Sequence, residues 1–102
     1  MASKYLDNAL AEVSPENRVF VKKNLDITEE VMAVLARKGM TQRDLALKLG
    51  KSEPEVSRML SGLHNFTLKT IAKLEVALGE DIIQTPKRLE EGKDTVMPVH
   101  VV

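Results

Sequence analysis

Four glycines, Gly39, Gly50, Gly62 and Gly79, each close a stretch whose apolar residues recur at three- and four-residue spacing. A glycine in that place can adopt the left-handed backbone that ends a helix. The four therefore divide the middle of the chain into four helices, and the fold class this predicts is all-α. Composition agrees: 43% of residues are hydrophobic but only 3% aromatic. A core so rich in Leu, Ala and Met favours helices over a sandwich of strands.

The first helix is expected to start at Ser14-Pro15, a capping hydroxyl followed by a proline where no amide is needed. Its apolar stripe runs Phe20/Val21, Asn24/Leu25, Ile27/Thr28, Val31/Met32 and Leu35, ending at Lys38-Gly39. The second spans Thr41 to Leu49, with Thr41 and Asp44 at capping-box spacing and Leu45, Ala46 and Leu49 facing inward. The third begins at Ser52, with Glu55 three residues on and Pro54 tolerated in the first turn. Val56, Met59 and Leu60 form its inner face. The fourth starts near Thr67 and is expected to bury Leu68, Ile71, Leu74, Ala77 and Leu78. Met32, Met40 and Met59 read as core filling.

Residues 14–83 thus form one helical domain. Residues 1–13 form an N-terminal arm or a short helix, since Leu6, Ala9, Leu10 and Val13 share a face. Residues 84–102 form a C-terminal tail or strand. Ile82–Thr85 and Val96–Val102 have the look of short strands around a charged, turn-like Pro86–Asp94, and they could pair with each other or with a second subunit.

Several function classes drop out. With no cysteine there is neither a disulfide framework nor a thiolate metal site, and His64 and His100 match no ligand spacing. There is no paired-carboxylate signature, nucleophile–His arrangement or phosphate-cradling glycine loop, so no enzyme and no cofactor are expected. No signal peptide or membrane-length apolar run is seen, which points to a cytoplasmic protein with no membrane partner. The formal charge is zero, but it is segregated. Residues 37–73 carry eight basic and three acidic side chains, a net of +5, between flanks of −2 and −3. A basic patch on a neutral protein suits a nucleic-acid partner.

The stretch Thr41–Gly62, TQRDLALKLGKSEPEVSRMLSG, carries the most information. Gln42 opens a helix and the small Ala46 lies four positions later. Gly50 follows at the turn, and the apolar Val56 comes six residues further on. A side chain larger than Ala46 would push two crossing helices apart, and a β-carbon at Gly50 would resist the turn. This pattern resembles the helix-turn-helix of the lambda-repressor-like (Xre) family, where Ser-Arg often follows as Ser57-Arg58 does here. The stretch from His64 to Ile71, then Leu74 and Ala77-Leu78-Gly79, together with the long first helix, resembles antitoxins of the HigA type. The likeness covers about Ser14–Ile83.

The resemblance implies a sequence-specific DNA-binding transcriptional repressor that acts as a homodimer on a palindromic operator. It also implies the antitoxin of a type II toxin–antitoxin operon, with a RelE-like toxin as protein partner. Two departures stand out. Lys51 occupies the position after the turn glycine where many members have an apolar residue, and the recognition helix opens with Glu53 and Glu55, which repel phosphates.

In such docking the second helix of the motif presents its N-terminal half to the major groove. That makes Ser52, Glu53, Ser57 and Arg58 the candidate base contacts. Arg58 can bond guanine O6 and N7 together, and Glu53 can accept from cytosine N4. Glu55 reads instead as the cap partner of Ser52. Gln42, Arg43, Lys51, Asn65, Thr67 and Lys69 are the candidate phosphate contacts. One helix reads about four base pairs, so a two-fold dimer is needed for an operator. Its surface would be the fourth helix with Ile82–Thr85, or the C-terminal strand. The rival functions are a stand-alone regulator without a toxin, and a protein-interaction module that keeps the fold without binding DNA.

Overall fold

The computed structural model describes residues 14–92. The arm at residues 1–13 and the strand expected at Val96–Val102 lie outside the described residues. Among those described, the architecture is entirely helical: α1 (Pro15–Lys38), α2 (Gln42–Leu49), α3 (Glu53–Met59), α4 (Leu68–Leu78) and α5 (Pro86–Gly92). All four predicted helix-ending glycines have positive φ.

Helix starts follow the capping signals. The hydroxyls of Ser14, Thr41, Ser52 and Thr67 each accept an amide from the third residue of the helix that follows. Each such cap contributes about 1 kcal/mol by satisfying an amide that the helix itself cannot. α2 packs on α3, while α4 packs on α2 and α1. Val31, Val34 and Leu35 of α1 meet Leu45 and Ala46 of α2, Val56 and Met59 of α3, the adjoining Leu60, and Leu74 and Leu78 of α4 in one core. Met40, Leu49, Phe66, Ala77 and Ile82 close its edge.

Four expectations about burial and secondary structure need correction. Met32 is 42% exposed and Val34 takes the inward place on that turn of α1, because the predicted stripe paired neighbouring residues and only one of Val31/Met32 can face α2 and α4. Leu68 is 72% exposed; it opens α4 beyond the edge of the core, whose α4 contribution comes from Leu74 and Leu78. Ile82–Thr85 is not a strand. The amides of Ile82 and Ile83 both donate to Oε2 of Glu75, at 2.8 and 3.1 Å, so they are unavailable for a ladder. Pro86–Gly92, expected to be turn-like, is helical; Thr85 caps it, accepting from the amide of Arg88 at 3.3 Å, and Pro86 takes the first helical position.

Candidate nucleic-acid interface

The starts of α2 and α3 and the turn between them are fixed by local chemistry, while the shared core holds their inner faces. In α2 the Thr41 amide donates to Oδ2 of Asp44 at 2.9 Å, and the Asp44 amide donates to Oγ1 of Thr41 at 3.0 Å. In α3 the Ser52 amide donates to Oε1 of Glu55 at 2.9 Å, and the Glu55 amide donates to Oγ of Ser52 at 3.3 Å. Two reciprocal capping boxes therefore set where both helices begin. Between them Gly50, at φ 68°, lets its own amide reach the Leu47 carbonyl and that of Lys51 reach the Ala46 carbonyl. A β-carbon there would meet no neighbour, so the demand for glycine is purely one of backbone conformation.

Both box carboxylates are held below their ordinary pKa. For Asp44 the largest cause is the hydrogen bond from the Thr41 amide, followed by the Thr41 side chain. For Glu55 the same two groups of Ser52 act in the same order. These acids stay ionised to below the usual carboxylate range and face the positive ends of helices. Glu55 is thus engaged as a cap, as its spacing suggested.

Burial of Val56 and Met59, with Leu60 just beyond the helix, turns the opposite face of α3 to solvent. On it stand Glu53, Pro54, Ser57 and Arg58, with Ser61 just past the helix end. The Ser52 oxygen is spent on the cap, which leaves its hydroxyl proton to donate. Pro54 and Ser61 were not among the candidate site residues. Their spacing from Ser57 and Arg58, at three and four residues, is the signal that places them on this face.

The predicted phosphate contacts fall into separate groups. Lys51 and Arg58 line one groove with Glu55, Met59 and His64, and the His64 ring meets Phe66 edge to face at 5.0 Å. Lys69 lies elsewhere, in a larger groove between α2 and α4, where Lys48 and Lys73 border an apolar floor of Leu49, Ala72, Val76 and Ala77. Gln42, half-buried, and Arg43, exposed, sit in the first turn of α2; Asn65 is exposed in the loop before α4. The Thr67 hydroxyl is taken up by Thr70, whose amide and hydroxyl lie at 3.1 and 2.9 Å. What Thr67 brings to this surface is the amide-bearing start of α4.

The basic patch is smaller than charge counting implied. Arg37 pairs with Glu80, and Lys38 lies 3.6 Å from the same carboxylate, so the end of α1 is tied to the end of α4. The remaining cations of the segment are Arg43, Lys48, Lys51, Arg58, Lys69 and Lys73.

Two short helices joined by a glycine turn, the second presenting an exposed polar face beside cations, define a helix-turn-helix. The family profile described as helix-turn-helix matches residues 31–83, just over half of the chain. The chain belongs to this lambda-repressor-like helix-turn-helix family, a family of DNA-binding transcriptional regulators. Comparisons with curated proteins and with solved structures found no match. Among the described residues, no helix is long and apolar enough to cross a membrane.

Proposed function

We propose that the chain is a sequence-specific transcriptional repressor that binds a palindromic operator as a homodimer, with α3 in the major groove. The observation that carries this reading is the outer face of α3, where Ser57 and Arg58 stand exposed on a helix whose other side is locked into the core. Arg58 reads a guanine and Ser57 a neighbouring base, with Ser52 and Glu53 at the groove-facing start of the helix. Gln42, Arg43, Lys51, Asn65, Thr67 and Lys69 hold the backbone and set register without reading sequence. Two such helices related by a two-fold axis would stand about 34–36 Å apart.

The finer assignment is to the antitoxin of a type II operon, partnered by a RelE-like toxin. It rests on the likeness of His64–Gly79 and the long α1 to HigA-type antitoxins. Gel shifts on the DNA upstream of the protein's own gene test the repressor reading, with a shift that weakens steeply as salt rises as the expected result. An absence of any shift at low salt would leave a protein-interaction module. Co-purification of a small basic protein encoded by the neighbouring gene would support the antitoxin; its failure to bind leaves a stand-alone regulator.

A further inference from the structure

Asn24 is only 4% exposed, on a face of α1 that otherwise buries Thr28, Val31 and Leu35. Burying an amide is unfavourable unless its polar atoms are bonded. Its Nδ2 donates to the Gly62 carbonyl at 3.0 Å, joining positions 38 residues apart. Separately, the Thr28 hydroxyl donates to the backbone carbonyl of Asn24 at 3.0 Å. The neighbouring Leu25 closes on the same turn: a β-carbon on Gly62, which has φ 88°, would lie 3.1 Å from Leu25 Cδ2. Gly62 is therefore gripped by two consecutive residues of α1.

Gly62 lies near the start of the segment that links α3 to α4. Within that segment the interactions are short-range: the Leu63 amide donates to Ser61 Oγ at 3.3 Å, and His64 meets Phe66. Phe66 packs on the core edge, and the Asn24 amide supplies the hydrogen bond to α1. This loop carries Asn65 and leads directly to Thr67 and Lys69.

We infer that Asn24 is a positioning residue for DNA recognition: by holding the Gly62 carbonyl it fixes where Asn65, Thr67 and Lys69 stand relative to α3. The inference deepens the DNA-binding reading above and rests on it. Phosphate contacts set the register of a protein on the duplex. A loosened loop therefore misplaces α3 over the bases of the operator, whereas complexes with arbitrary sequence, which need no single register, lose little.

The variant to make is Asn24→Leu, which keeps the buried bulk and removes the donor. The DNA probes are a duplex selected from a random library by the wild-type protein and a scrambled duplex of equal length. Affinity for the selected duplex is expected to fall about tenfold, a difference worth about 1.4 kcal/mol. Affinity for the scrambled duplex should change less than about twofold, with the same salt slope, since no cation is removed. In parallel, backbone ¹⁵N order parameters over residues 61–66 should drop from about 0.85 to below about 0.6, with those of α2 and α3 unchanged. Unchanged order parameters would overturn the inference, as would an equal fall on both duplexes, which is what a general loss of folding produces. If wild type selects no duplex, the DNA-binding reading fails and the inference about recognition with it. The order parameters would then still decide whether Asn24 holds the loop.

Discussion

The α2–α3 unit and the loop that follows it are adjacent in the chain but held by different means. In the first, each helix start is closed by a box of residues three apart, the turn is set by one glycine, and the inner face is a run of core side chains. In the second, residues 61–67 rely on Phe66 and on an amide that arrives from Asn24, far away in sequence. Local devices set the ends of α2 and α3; a distant one holds the loop that follows them. The unit should then fail only through its core or caps, and the loop should fail without unfolding anything.

The largest effect belongs to the shared core. Leu45 is fully buried, and Leu45→Ala should cost about 2–5 kcal/mol of stability, measured by denaturant unfolding, taking DNA binding with it. A loss below about 1 kcal/mol would mean that α2 is not fixed by its packing.

Arg58→Ala comes next and should separate function from fold. Operator binding should weaken by about 1–3 kcal/mol, while stability stays within about 0.5 kcal/mol because the side chain is exposed. Ser52→Ala removes a cap and should cost about 1 kcal/mol of stability, seen as a lower melting temperature. The same substitution at Ser61, outside any capping box, should cost less; equal costs would deny the box its role.

Acid should act on the unit through its two capping boxes. Asp44 and Glu55 have folded pKa values depressed below 3.8 and 4.5, so the stability they add is present above those values and disappears as pH falls through the folded ones. The melting temperature should therefore decline on acidification below about pH 4.5, and less so in the double variant Asp44→Asn, Glu55→Gln. Smallest of all, Lys69→Ala should reduce the salt dependence of binding by about one unit of slope at unchanged base preference.

The same contrast explains what could be read from the sequence. Thr41 with Asp44, Ser52 with Glu55, Ala46, Gly50 and Val56 act on neighbours a few residues away, so spacing alone revealed both helices and the outward face of α3. The exposure of Met32 and Leu68 depends on what lies across from each, which periodicity does not contain. Likewise Ile82 and Ile83 have the residue types of a strand. The Glu75 carboxylate, one helix back, takes their amides. Arg37 and Lys38 belong to the basic run of the sequence, but Glu80, more than 40 positions on, pairs with both in the fold. Asn24 stood in the apolar stripe as a mere member of it, because its bond to Gly62 exists only once the chain has folded.

Whether the outer face of α3 reads bases is decided by selecting DNA from a random library with wild type and with Arg58→Ala and comparing the enriched sequences. A two-fold symmetric motif is expected for wild type, with the variant losing preference at one base pair in each half-site and keeping the rest. An identical motif from both proteins, or no enriched motif from wild type, would contradict base reading by α3.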